Sequence, residues 1–311
     1  MGVTVLVIGS SGQDGSILCD LLDADNQAYI AVSRSETRLP DNSTRGPVDL
    51  SIPKEAASFL DEFKPSSIVH LAAVHAPSGS MARLGDERFS EMVKCHVDIP
   101  RNILDWQVKN PSSKSIFALS SQMFSADKQD PFINLGSEVN PSTKYGETKA
   151  ECWNLIKEYR SNKNIKASGL ILFNHTSNRS KPDFLFPELA SQLKGLIRAT
   201  HDAITIRDAN ACVDIHSAYD LGLGISQILE KNFVRDFIFS SGKYLKVESI
   251  IQETLEKLGM SHSIEILSTD KTSSGVPLHG DISDTSNLLG WFPIVTPSEI
   301  LTAMTRGQKY V

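Results

Sequence analysis

Short apolar runs rich in β-branched residues recur along the first half of the chain. Each is followed by a stretch in which apolar residues return every three or four positions. Val5-Leu6-Val7-Ile8 is the first run, and Ile17, Leu18, Leu21 and Leu22 follow on one helical face. The strand pattern repeats at Tyr29 to Val32, Ser67 to Ala73, Ser115 to Leu119 and Ala167 to Phe173, with helical patterns over about 86–108 and 142–162. Strands apolar on both faces, alternating with helices, belong in a parallel sheet covered on its two sides. Ligands of such a doubly wound sheet bind beyond the carboxyl ends of its strands. After Asn174 the pattern loosens into a Ser/Lys/Pro loop, Ser177 to Asp183, and a helix near 184–199. A further helix is predicted over Ile215 to Glu230 and a strand over Phe237 to Ser240, while 243–311 mixes short helices and loops.

The first strand runs into Gly9-Ser10-Ser11-Gly12-Gln13-Asp14-Gly15, the order strand, tight turn, helix start. A helix beginning there directs backbone N–H groups and its positive dipole end at whatever lies above, which suits a pyrophosphate. Glycines let the backbone turn sharply and approach the phosphates closely. A glycine triplet alone is weak, but this one lies between two strands and opens an amphipathic helix, the context of a dinucleotide site. The second strand ends in Ser33-Arg34-Ser35, where an NAD-selective site carries an acid. A guanidinium and hydroxyls hold a 2′-phosphate, so NADP(H) is expected over NAD(H). The α/β fold expected is thus a Rossmann-type doubly wound parallel sheet with a smaller, discontinuous substrate domain. Residues 1–175 and about 211–242 make the NADP-binding part, and about 176–210 and 243–311 the substrate part.

Composition narrows the partners. The 311 residues carry a formal charge of −6 without basic blocks, which argues against nucleic acid. No apolar run reaches bilayer-spanning length and no signal peptide is evident, so a cytoplasmic protein away from membranes is expected. Cys19, Cys95, Cys152 and Cys212 are scattered without metal-ligand spacing, which points to reduced thiols and no metal site.

The strand at 115–119 ends in Ser120-Ser121-Gln122, and Tyr145-Gly146-Glu147-Thr148-Lys149 follows. Tyr145 and Lys149, four apart, share one helix face. An ammonium beside a phenol favours the phenolate, and an oxidised nicotinamide adds positive charge, so Tyr145 is expected to trade a proton near neutral pH. Ser120 at the strand end is placed to hydrogen-bond the same substrate oxygen. Tyr-x-x-x-Lys by itself is commonly a solvated helix face, but here it follows the glycine turn and the serine strand end.

These features resemble the extended short-chain dehydrogenase/reductase, or NAD-dependent epimerase/dehydratase, family over essentially the whole chain. Supporting matches are Asp49-Leu50, at the adenine-contacting position, His70-Leu71-Ala72-Ala73 and Val97-Asp98. Pro141 to Lys149 matches the active-site helix and Leu289-Gly290-Trp291-Phe292-Pro293 the C-terminal signature. Gly12-Gln13-Asp14-Gly15-Ser16 and Leu172 to Arg179 are most similar to GDP-mannose 4,6-dehydratases and GDP-4-keto-6-deoxy-sugar reductases, a branch that supplies polysaccharide biosynthesis. The resemblance implies cofactor contacts at Gly9, Gly12, Gln13, Asp14, Gly15, Ser33, Arg34, Asp49, Leu50, Leu71, Ala72, Ala73, Tyr145 and Lys149. It implies substrate contacts at Ser121, Asn174 and Arg179, with His175 a satisfied interior histidine. It also implies a homodimer or homotetramer formed through the helices at 86–108 and 142–162.

The departures choose among reactions. Dehydratases of this branch carry Glu two positions after the catalytic Ser/Thr, as the base that removes the proton α to the transient ketone. Gln122 stands there, and an amide is no base. Met123-Phe124-Ser125 replaces aliphatic-Tyr-Gly, the substrate-binding Arg-Asp pair reads Val213-Asp214, and an Arg-Pro motif reads Ser274-Gly275-Val276-Pro277. Two expected diphosphate-binding arginines are therefore missing, with Arg207 and Lys181 as candidate substitutes. The preferred expectation is a reductase that transfers hydride from NADPH to a nucleotide-linked 4-keto-6-deoxy sugar, with Tyr145 as acid, Lys149 its electrostatic partner and Ser120 a carbonyl donor. The alternatives are a dehydratase or epimerase that recycles NADP internally, or a dinucleotide-binding protein with decayed chemistry.

Overall fold

The computed structural model describes residues 4–75, 85–125, 132–231, 233–260, 264–270 and 278–308. Two compact units divide the chain. The first comprises 1–125, 137–172 and 222–237, and the second 126–136, 173–221 and 238–311. The segment 211–221, which the sequence reading puts with the first domain, falls in the second unit.

In the first unit β1 (Val5–Ile8) leads through α1 (Gln13–Ala24) to β2 (Tyr29–Val32), and a hairpin adds β3 (Thr37–Arg38) and β4 (Thr44–Arg45). Then come α2 (Pro53–Phe63), β5 (Ser67–His70), α3 (Asp86–Val93), α4 (Ile99–Lys109) and β6 (Lys114–Ala118). The small strand β7 (Phe132–Ile133) belongs to the second unit, and α5 (Lys144–Lys163) and β8 (Lys166–Leu172) return to the first. The remaining elements are β9 (Asn174–Thr176), α6 (Leu185–Ile197), β10 (Ala203–Ile206), β11 (Cys212–Val213), β12 (Ile215–Ser217), α7 (Ala218–Lys231) and β13 (Phe237–Phe239). They are followed by β14 (Leu245–Lys246), α8 (Val247–Lys257), β15 (Glu265–Ser268), β16 (His279–Gly280), α9 (Ser283–Leu289) and α10 (Pro297–Arg306).

The central sheet has the order β13-β8-β6-β5-β1-β2-β3-β4. The strands β8, β6, β5, β1 and β2 pair in parallel, and the β3–β4 edge is antiparallel. The order reverses between β1 and β5, the topological switch point at which open α/β sheets bind ligands. This is the Rossmann-like architecture the alternating pattern predicts. β1 and β2 are buried on both faces, which is why they read as continuous apolar runs.

Three elements differ from the sequence reading, each for a physical reason. β5 stops at His70 rather than Ala73, because the chain leaves the sheet there to pass against Gly9. The helix over 86–108 is interrupted by a π turn at Lys94–Asp98. Pro100 has no N–H for the helix ladder, and the Ile99 N–H bonds back to the Lys94 carbonyl. The Cys95 carbonyl, which Ile99 would serve in an α-helix, instead accepts from His70 Nε2 at 2.8 Å. Finally, Ile215–Ser217 is a strand paired with β9, so α7 begins at Ala218 rather than at Ile215.

The second unit packs α6, β10, α8 and α10 around Phe186, Leu189, Leu193, Ile251 and Leu301. Its C-terminal signature has a structural task. Gly290 closes α9 with φ of 70°, and the buried Trp291 indole donates to the Asp220 carbonyl at 2.7 Å. The Asp220 carboxylate accepts the Ile294 N–H at 2.9 Å.

A buried carboxylate ties α5 to β8 in the first unit. Asp236 accepts from the Trp153 indole at 2.9 Å, the Gly169 N–H at 2.8 Å and both terminal nitrogens of Arg160 at 2.9 and 2.8 Å. Removing one partner of a buried pair leaves the other charge uncompensated. Asp236→Ala should therefore lose about 3–5 kcal/mol of stability, read as a lower urea midpoint at unchanged slope.

Candidate active site

The site forms where the loops after β1, β5 and β6 meet the start of α5, all within the first unit. Gly9 has φ of +91°, and a Cβ there would lie 2.5 Å from the Ala72 nitrogen. A Cβ on Gly15 would lie 2.2 Å from the Gly9 carbonyl oxygen. The glycine loop, the first turn of α1 and the Leu71–Ala73 segment are thus in backbone contact. Gly12 caps α1 without a side-chain hydrogen bond, so the N–H groups of the first turn are served by no side chain at that cap. This glycine-lined turn at a helix N-terminus fits a pyrophosphate. Gln13 Nε2 donates to Asp14 Oδ1 at 3.0 Å in that first turn.

At the end of β2 the Ser33 hydroxyl shapes the turn, accepting the Ser35 and Glu36 N–H groups at 3.3 and 3.1 Å. Arg34 and Ser35 are exposed at its tip, and so is Glu36, a carboxylate in this turn that the sequence reading passed over. The Arg34 guanidinium is close enough to Cys95 to favour its thiolate, although burial dominates and pushes that thiol up. Asp49 turns its carboxylate to the Ser51 N–H and hydroxyl at 3.0 and 2.7 Å, and the buried Leu50 offers its carbonyl to Asn102 Nδ2 at 3.0 Å.

Ser120, Tyr145 and Lys149 come together at the carboxyl end of β6. Ser120 caps a 3₁₀ turn over Ser121–Met123, accepting the Gln122 N–H at 3.2 Å, and is near enough to the Tyr145 phenol to favour its ionised form. The Lys149 ammonium donates to the Ala118 carbonyl at 2.7 Å and lies 5.7 Å from the Tyr145 ring centroid. Burial lowers the Lys149 pKa, with Cys152, Cys95 and Asp14 nearby opposing it. Tyr145 is 3 % exposed. Burial above all, with Cys95 and Asp14 adding to it, raises the phenol well above its ordinary value, and the Ser120 hydroxyl opposes only part of this. The lysine charge is directed at a backbone carbonyl, and desolvation disfavours the charged form of the phenol.

Gln122 is anchored. The Thr143 hydroxyl donates to its Oε1 at 3.3 Å and accepts the Gly146 N–H at 3.0 Å, capping α5. A Cβ on Gly146 would lie 2.2 Å from the Gln122 carbonyl oxygen, so only glycine lets α5 approach this closely.

Three residues missed by sequence reasoning complete the surroundings of Tyr145. His75 stacks on its ring at 4.9 Å, and His96 meets it edge-on at 5.3 Å. Thr148 links His96 Nδ1, at 2.8 Å, to the Tyr145 carbonyl, to which its hydroxyl donates at 2.9 Å. The sequence signal was limited to histidines following a strand and lying inside a helical pattern.

The remaining sequence-derived residues lie in the second unit. Asn174 donates to the Asp214 carbonyl at 3.1 Å, and Arg179 is exposed, its N–H on the Ser177 hydroxyl at 3.1 Å. His175 engages the Phe173 carbonyl through Nδ1 at 2.8 Å. Asp214 is buried and accepts from the Ser240 hydroxyl, the Ser241 N–H and hydroxyl, and the Gly280 N–H, so it serves the fold. Burial raises its pKa against those bonds. Arg207 pairs with Asp270 at 3.5 Å. Ser274 to Pro277 lie outside the described residues.

Known proteins share this architecture. Fold similarity extends to RMD from Pseudomonas aeruginosa complexed with NADPH, with a TM-score of 0.81 at 16% identity over 97% of both chains. It extends also to a UDP-glucose 4-epimerase from Thermotoga maritima with UDP-glucose, with a TM-score of 0.79 at 18% identity over 97% of both chains. In sequence the chain is 21% identical to a GDP-mannose 4,6-dehydratase of Vibrio cholerae, over 89% of this chain and 77% of that one. The model of the NAD dependent epimerase/dehydratase family matches residues 5–236, and with three quarters of its length so matched the chain belongs to that family.

Proposed function

We propose that the protein is an NADP(H)-dependent oxidoreductase of nucleotide-linked sugars that reduces a 4-keto-6-deoxy sugar. The first unit is read as the cofactor domain and the second as the substrate domain. The observation that carries this reading is a buried Tyr145 with Lys149 on the same helix face, and an amide, Gln122, where elimination needs a base. A bound NADPH supplies hydride to the carbonyl carbon. Ser120 orients the carbonyl oxygen, Tyr145 gives it a proton, and Lys149 offsets the charge left on the phenol oxygen. Arg34 is read as the 2′-phosphate contact, supported by its exposure at the turn after β2 and opposed by Glu36 in the same turn. Asn174, Arg179 and Ser121 are read as substrate contacts.

A dehydratase with internal recycling of NADP is the second reading, favoured by the activity named for the Vibrio cholerae relative. The two separate on net NADPH consumption with a GDP-linked 4-keto-6-deoxyhexose, and on solvent deuterium at C5 or C6 of the sugar. A reductase consumes NADPH and gains nothing from Gln122→Glu, whose carboxylate must be desolvated. Deuterium incorporation from GDP-mannose without net NADPH use would overturn the reductase reading.

Tyr145→Phe should lower kcat by about 10²–10⁴-fold while NADPH binding, followed by its fluorescence, survives. Near-normal turnover would remove Tyr145 from the chemistry. Arg34→Ala should weaken NADP(H) by about 1–3 kcal/mol and leave NAD(H) unchanged in calorimetry. Equal losses would show that Arg34 does not read the phosphate.

A further inference from the structure

Two imidazoles flank the Tyr145 ring, and their surroundings give them different freedoms. The planes of His75 and Tyr145 are 28° apart, with the rings stacked, while His96 stands at 90°. His96 is 1 % exposed. The Val74 N–H donates to its Nε2 at 3.0 Å, so the proton of the neutral ring is on Nδ1, which donates to Thr148. Both ring nitrogens are committed, and a second proton would face the Val74 N–H with another donor. Burial first, then the charges of Lys149, His70 and His75, hold the His96 pKa well below its ordinary value. His96 is the constant neighbour of the tyrosine.

His75 is only half-buried, and its backbone is clamped by Arg88, whose guanidinium donates to the His75 carbonyl and to Glu91 Oε2, each at 2.8 Å. Its stacked face covers a phenol that is itself buried. Among the described residues, the charged and titratable groups around the pair include Lys149 on α5, Cys95 and His96 in the π turn, His70 on β5, Arg88 and Glu91 on α3 and Asp14 on α1.

We propose that His75 is a positioning residue for Tyr145: its ring holds the phenol in place, and as an imidazolium it stabilises the phenolate left when Tyr145 gives up its proton. The inference rests on reading Tyr145 as the acid. In that step the phenol O–H bond breaks, an O–H bond forms on the substrate carbonyl oxygen, and the negative charge stays on the Tyr145 oxygen. Lys149 opposes an imidazolium while the phenol is neutral. Ionisation of Tyr145 reverses that balance, so protonation of His75 and deprotonation of Tyr145 favour each other reciprocally.

The test has two arms. In the protein saturated with NADP⁺ and without sugar, the ring ¹H–¹³C signals of His75 are titrated by NMR between about pH 5 and 10, across the ordinary imidazole and phenol ranges. Within that range His75 should take up a proton, and His75→Ala should shift the Tyr145 ring signals while His75→Phe, which keeps a stacking ring, preserves them. A His75 that stays neutral throughout, or Tyr145 signals indifferent to His75→Ala, overturns the proposal whatever the sugar. In the second arm kcat is followed against pH with NADPH and a GDP-linked 4-keto-6-deoxyhexose. The wild type should lose rate as pH rises through the imidazole range, about 6–7. His75→Phe keeps a stacking ring but no charge, and should stay flat on a plateau roughly tenfold lower, with KM for NADPH unchanged. His75→Ala should lose more. A His75→Phe enzyme with wild-type kcat and profile overturns the proposal. If the keto sugar is not turned over at all, the reaction assigned above fails while the NMR arm still decides the role of His75.

Discussion

The geometry of the candidate site depends on a contact in which no side chain takes part. The Gln122 carbonyl lies where any Cβ on Gly146 would have to go, and this close approach brings the loop after β6 onto the first turn of α5. Ser120 sits two residues before that carbonyl and Tyr145 one residue before that glycine. The distance between the hydroxyl and the phenol is thereby set by backbone packing rather than by the flexibility of either side chain. The Thr143 cap, shared with Gln122 Oε1, fixes where α5 begins. Gly9 against Ala72 does the same for the cofactor cradle. Two backbone contacts thus assemble three loops, consistent with the need for groups held within fractions of an ångström.

Burial dominates the electrostatics that result. Tyr145 and Lys149 each lie 3 % exposed, and desolvation disfavours both charged forms. Burial first, with Cys95 and Asp14 adding to it, raises the Tyr145 pKa, and the nearest ammonium is directed at the Ala118 carbonyl. A neutral phenol suits an acid. His96, Thr148 and the Val74 N–H form a fully used chain of donors and acceptors beneath the tyrosine, fixing a tautomer that will not readily take a second proton. The π turn makes this possible. By sending the Ile99 N–H to Lys94, it releases the Cys95 carbonyl to His70 and sets His96 in register with α5.

In the second unit, several residues singled out by sequence motifs have partners within the chain. Asp214 gathers four donors from three residues in the loop after β13 and in β16. Arg207 is occupied by Asp270. Trp291, from the C-terminal signature, packs edge-on against Phe239 and anchors its indole on Asp220.

Much of this was legible in the chain itself. Apolar runs at 5–8, 29–32 and 67–70 alternating with 3.6-period helices could bury themselves only in a parallel sheet, and a strand ending in glycines before a helix could only place N–H groups above its carboxyl edge. The Tyr145–Lys149 spacing put both side chains on one helix face, because that face is a property of the helix alone. What depended on residues distant in sequence was not legible. The strand at Ile215–Ser217 exists because β9 offers it a partner, and α7 starts late for that reason. The stacking of His75, the tautomer of His96 and the protonation of Tyr145 arise from groups tens of residues apart meeting away from water. Local periodicity determined the elements and the face each presents. Which side chains met, and how much water remained among them, was decided only by the packing of those elements, because desolvation and hydrogen-bond geometry are properties of the assembled volume and not of any segment within it.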